Sequence, residues 1–97
     1  MAVTTVIEIP GGTQDLYDKI LDNLGLGREG ALIDGQLAHI ASPMDGGWRV
    51  VDVWESEDAF NKFANERLGA AMAAAGVPTG APAPKFFPVR VFHAREA

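Results

Sequence analysis

The stretch Gly35–Phe63, GQLAHIASPMDGGWRVVDVWESEDAFNKF, reads as strand, tight turn, strand and helix with almost no slack, and the architecture follows from it. Two apolar-rich runs, Gln36 to Pro43 and Trp48 to Glu55, flank Met44-Asp45-Gly46-Gly47, where glycine can take up the positive φ of a chain reversal. A turn centred between Asp45 and Gly46 opposes Pro43 to Trp48, Ala41 to Val50, His39 to Asp52 and Leu37 to Trp54. Directly opposed residues share a face, so these eight side chains line one side of the sheet, while Ala38, Ile40, Val51 and Val53 line the other. The second set is small or β-branched, and the helices are expected to pack there. A slip of one residue would push Asp52 into the helix-packing layer of the partner strand, so the apolar pattern itself selects this register.

Upstream, Val3 to Ile9 is rich in Val, Ile and Thr and stops at Pro10-Gly11-Gly12, the mark of a strand ended by a turn. Thr13 is suited to cap a helix carrying Leu16, Tyr17, Ile20, Leu21 and Leu24 at helical spacing, with Gly25 or Gly27 closing it. Leu26 to Gly35 is a glycine-studded connection. Downstream, Ser56 caps a second helix whose apolar stripe runs from Phe60 through Phe63, Leu68 and Met72 to Ala75, with Gly76 ending it. Gly76 to Pro88 holds four prolines and reads as an extended arm, Val89 to His93 as the last strand, and Arg95 to Ala97 as a frayed end. The order β-α-β-β-α-β is the ferredoxin-like plan: an α+β fold with a four-stranded antiparallel sheet and two helices on one face.

The totals fit this plan. The chain has 97 residues, which suits one domain over 1–97, and its 47% hydrophobic and 22% charged residues are an ordinary globular composition. A net charge of -5 argues against nucleic acid and anionic membrane as partners. There is no cysteine, so thiolate metal sites and a cysteine nucleophile are excluded. MAVTTVIEIP lacks the basic start and long apolar core of a secretory leader, and no run approaches the ~18 apolar residues of a spanning helix. A cytoplasmic location is the expectation.

With the helices on one face, the other face would leave Leu37, Trp48, Val50 and Trp54 bare, more contiguous apolar surface than a monomer tolerates. The expected remedy is a homodimer whose sheets face one another around a cavity.

The run HIASPMDGGWRVVDVWESEDAFNKF, together with the proline-rich arm and PVRVFHA, resembles the dimeric α/β barrel superfamily, most closely a small branch allied to the antibiotic biosynthesis monooxygenases. The resemblance covers nearly the whole chain and is most specific from Ala38 to Phe63. It implies a ferredoxin-like homodimer. Among such proteins are cofactor-free oxygenases of aromatic polyketides, polyketide cyclases, haem-degrading enzymes and muconolactone isomerases. The haem-degrading members carry a ligand histidine on a helix, and neither helix here has one, so no cofactor is expected.

The residues point the same way. His39 beside Asp52 is the arrangement wanted of a general base, because the carboxylate fixes which ring nitrogen is free. A cross-strand polar pair that merely satisfies itself is the competing interpretation. Trp48 and Trp54, with Leu37 and Val50, would wall the cavity against a flat aromatic or other hydrophobic ligand, although packing also explains tryptophans well. His93 falls on the strand at the far edge of the sheet, three strand spacings or roughly 14 Å from His39, so no metal site is expected in one protomer. Arg49 and Arg90 are expected to pair with carboxylates at the rim. Ser42 and Ser56 are badly placed for a Ser-His-Asp triad, and no glycine-rich phosphate loop is present. The expectation is therefore a small cofactor-independent enzyme, monooxygenase-like or cyclase-like, acting on an aromatic or polyketide-like molecule. Its alternative is a non-catalytic hydrophobic-ligand-binding or assembly protein.

Overall fold

The computed structural model describes residues 1–26, 31–77 and 84–95. Strand β1 (Val3–Pro10) leads into helix α1 (Gln14–Leu24), and the hairpin is β2 (Gln36–Met44) and β3 (Gly47–Trp54). Helix α2 (Glu57–Phe63) continues through a π-helical turn, Ala64–Leu68, into α3 (Gly69–Ala74), which together fill the place of the second helix. Strand β4 (Lys85–Pro88) completes the sheet in the order β2-β3-β1-β4, antiparallel throughout. The fold is α+β and ferredoxin-like, as the order of elements implied. Parts of the glycine-studded connection, the proline-rich arm and the frayed end, residues 27–30, 78–83 and 96–97, lie outside the described residues.

Local chemistry sets the element ends. Thr13 Oγ1 accepts from Leu16 N at 3.2 Å, and Ser56 Oγ accepts from Ala59 N at 3.1 Å, so both helices begin on the expected caps. Gly25 closes α1 in the left-handed conformation at φ 77°. In the hairpin the positive φ falls on Gly46 alone, at 75°. Gly47 is needed for a different reason: a Cβ there would collide with the Ile9 carbonyl of the neighbouring strand.

The expected register holds over most of the hairpin: Pro43 opposes Trp48, Ala41 opposes Val50, and His39 opposes Asp52. It breaks at Leu37. A bulge between Gln36 and Ala38 sets Gln36, not Leu37, opposite Trp54, and Leu37 is left 46% exposed.

The larger correction concerns which face carries the helices. The sheet buries the side with Trp48, Val50, Asp52 and Trp54, joined by Thr5, Ile7 and Ile9 of β1 and Phe86 of β4. Trp54 is 0% exposed, edge-on to Phe60 at 5.6 Å and stacked on Phe63 at 5.5 Å. Ala38, Ile40, Val51 and Val53, expected beneath the helices, lie instead on the open face, where Ile40 is 61% exposed. Bulk decides this. Two tryptophans and the isoleucines of β1 bring far more area to one side than alanine and β-branched residues bring to the other, and the helices cover the larger apolar area.

The last strand also moves. Pairing with β1 runs over Lys85–Pro88 and not over Val89 to His93, with Val91 and Phe92 exposed. Phe86 inserts against Phe60 at 5.4 Å, which anchors the earlier segment. Because β4 is an edge strand, Pro88 at its end breaks no ladder. On the open face Arg49 reaches Glu8, its cross-strand neighbour, with Nε to Oε2 at 2.8 Å, the rim pairing expected of it.

Candidate functional site

The π-helical turn, α1 and the sheet border a cavity of about 270 Å³ that stays partly open to solvent. Ile7, Ile9 and Val50 form its floor, Ile20, Leu21 and Leu24 of α1 one wall, and Phe60, Phe63, Leu68 and Met72 the other. Leu32 and Ile33 close over it from the connection that precedes β2. The cavity therefore lies inside one protomer, between sheet and helices, and not between two sheets as expected from the sequence.

Its polar residues among those described are Tyr17, Gln36, His39 and Asp52, and they form one hydrogen-bonded chain. His39 Nδ1 meets Asp52 Oδ1 at 2.5 Å, and His39 Nε2 meets the Tyr17 hydroxyl at 2.5 Å. The carboxylate keeps the ring proton on Nδ1, so Nε2 carries the lone pair and accepts from the phenol. Gln36 Nε2 donates to the same Asp52 oxygen at 3.0 Å, while its Oε1 accepts from Ile33 N at 3.0 Å. Each end of that amide has one chemistry to satisfy, which fixes its orientation. Asp52 is buried, whereas the His39 side chain keeps 31% of its surface exposed and so stays in reach of solvent protons.

Tyr17 holds this chain against the cavity. Its ring stacks on His39 with centroids 6.0 Å apart and an interplanar angle of 14°, and on Trp48 at 5.4 Å and 30°. Burial, and then the negative charge of Asp52 and Asp18, push its phenol pKa up. Tyr17 is thus a neutral hydrogen-bond donor across the ordinary pH range. It is also the chain's one tyrosine, so alkaline titration followed by phenolate absorbance reads it alone. The midpoint is expected above the usual ~10. The neutral form is favoured in the folded state, so this contribution to stability is complete below pH ~10 and is lost as pH rises through the folded value. A midpoint at or below the usual value would contradict the burial.

No protein-family model and no curated protein matches the chain.

The structure sorts the expected site residues into three groups. His39, Asp52 and Val50 border the cavity together, the first two on the same side of the sheet. Trp48 and Trp54 are buried in packing, Trp48 against Tyr17 and Trp54 against Phe60 and Phe63, and neither is among the cavity-lining residues. Leu37 sits on the bulge, outside the lining. Two contributors were missed. Gln36 takes the inward position that simple alternation gave to Leu37. Tyr17 is not assigned to the site by the sequence because nothing there says which way the α1 stripe turns; the one available signal is a hydroxyl beside Leu16 on that stripe. His93 is exposed beyond β4, and no group of three His, Asp or Glu converges on a metal-sized point among the described residues. Among those residues no helix is long and apolar enough to cross a membrane.

Proposed function

We propose that this chain is a small cofactor-independent enzyme that moves a proton on an aromatic or polyketide-like molecule held between sheet and helices. The observation that carries this reading is the Tyr17–His39–Asp52 chain, which ends at an otherwise apolar cavity. A solvated salt-bridge partner needs no such cavity, and a packing tyrosine needs no histidine behind it. His39 is the base, Asp52 fixes its tautomer, and Tyr17 occupies the free nitrogen until a substrate hydroxyl or acidic C–H replaces it. Oxygenases and cyclases of the kind allied to antibiotic biosynthesis monooxygenases both start by removing such a proton, so the reading covers either.

The test is solvent deuterium exchange at the acidic C–H of aryl ketones such as anthrone and benzoylacetone, followed by proton magnetic resonance. Exchange faster than in buffer, saturating with ketone, is the expected result. Saturable binding without faster exchange would instead favour a non-catalytic hydrophobic-ligand-binding protein, a reading supported by the fact that the polar chain already satisfies itself.

The same reading includes a homodimer, formed through the open sheet face. Its support is the run of Val6, Ile40, Val51, Val53 and Phe87 on that face, with Ile40 61% and Phe87 50% exposed. A monomeric solution mass would remove this part and leave the cavity unaffected.

A further inference from the structure

The charge around the cavity bears on what it can hold. Among the described lining residues the titratable groups are Tyr17, His39 and Asp52, and none is a lysine or arginine. Asp52 is buried and spends one oxygen on both His39 and Gln36. An anionic ligand placed beside Tyr17 would leave water, meet a buried carboxylate and find no lysine or arginine among the described lining residues to offset either loss. The Arg49 guanidinium lies on the opposite face, engaged by Glu8.

Geometry next limits which side chain touches the ligand. Both ring nitrogens of His39 are occupied, Nδ1 by Asp52 and Nε2 by Tyr17. A ligand that leaves the chain intact meets the phenol first. A ligand carbonyl that draws the phenol O–H away from His39 leaves the Nε2 lone pair free to act as the base. Tyr17 then has one hydrogen to give and wants an oxygen that accepts it. The other groups bearing on this hydroxyl are Asp18 on α1 and Asp52 on β3, both acidic, and both resist the phenolate.

Volume sets the last limit. About 270 Å³ lies just below the ~300–1,000 Å³ typical of pockets for drug-sized ligands. A one- or two-ring molecule fits wholly within such a space, and a four-ring skeleton fills it and extends toward its open side.

We infer that the ligand of this cavity is a compact, electrically neutral molecule whose carbonyl oxygen accepts a hydrogen bond from Tyr17, and that Tyr17 is the residue that selects it. This rests on the proposed small-molecule function and narrows its substrate class. It makes the uncharged keto form the one that enters, with ionisation following inside at His39. The proton lost by the ligand is then held on Nε2, and the charge left on the ligand oxygen faces the phenol O–H.

Calorimetric titration of the whole protein at neutral pH with four probes tests it. Acetylnaphthalene is a neutral two-ring ketone, naphthoate its anionic counterpart, naphthalene lacks the oxygen, and acetylpyrene carries the same ketone on four rings. Acetylnaphthalene is expected to bind at least about tenfold more tightly than naphthoate, and more tightly than acetylpyrene. Tyr17→Phe, checked for folding by circular dichroism, is expected to cost acetylnaphthalene about tenfold and to leave naphthalene unchanged. Naphthoate binding as well as the ketone overturns the neutrality requirement and needs no variant to show it. Equal loss for ketone and hydrocarbon in Tyr17→Phe means that the ring packs but does not select, and acetylpyrene binding as tightly as acetylnaphthalene overturns the size preference. In those cases binding of small aromatics survives. If none of the four binds, the inference and the small-molecule reading fall together.

Discussion

Replacing His39 with alanine is expected to abolish proton exchange on a bound ketone while the protein stays folded. Loss of a positioned general base costs typically ~10²–10⁴-fold in rate. The structural penalty is small by comparison. His39 stands on β2, an edge strand, with its side chain 31% exposed, so its removal opens no core cavity. Asp52 loses one of two hydrogen bonds but keeps the Gln36 amide, and the Tyr17 hydroxyl turns to the cavity. The combined effect on folding is on the order of 1–3 kcal/mol, less than a typical domain's stability. Exchange rate and circular dichroism measured on one preparation separate the two effects. A variant as active as the parent removes His39 from the mechanism, and with it the reason for giving Asp52 a role.

The largest effect on stability is expected at Trp54. Its indole is fully buried between the sheet and two phenylalanines, and truncation to alanine leaves a hole that the T-shaped and stacked rings cannot close. Such changes cost ~3–5 kcal/mol, a large share of the ~5–15 kcal/mol that holds a domain together. Urea unfolding should show a midpoint far below the parent's, or no folded baseline. Leu37→Ala, made on the same hairpin, is the control and should be nearly neutral, because Leu37 stands outward on the bulge. If the two variants unfolded at the same denaturant concentration, the assignment of the buried face would be wrong.

How far the fold could be read from the sequence depends on what kind of information each element carries. The hairpin was legible because strand alternation and a two-residue glycine turn act locally, and together they placed His39 opposite Asp52 on one side of the sheet. The helix caps at Thr13 and Ser56 were legible for the same reason. Which face the helices cover was not, because it is a competition between areas summed over several strands. Trp48 and Trp54 on β3 count with Ile7 and Ile9 on β1, and hairpin parity says nothing about β1. Leu37 was misplaced because a bulge changes parity by one without changing composition. β4 began early because Phe86 found Phe60, a contact between distant parts of the chain. Tyr17, the central side chain of the candidate site, depended on the rotation of α1 about its own axis, which only packing determines. The pair was thus readable from local pattern, and the third member was not.

The π-helical turn at Ala64–Leu68 has a consequence of its own. A π turn accommodates one residue more than an α turn, and a stretch of this kind absorbs a single inserted residue without breaking the helix. Each residue of an α-helix advances about 100° around the axis. Elsewhere in a helix a one-residue deletion turns everything beyond it by that angle, whereas here it lets the wide turn close to an ordinary α turn and leaves Ala71 and Met72 facing the core that receives them. Length at this point is therefore a tolerance built into the wall of the binding chamber: one residue can be lost here while Met72 keeps its place in it.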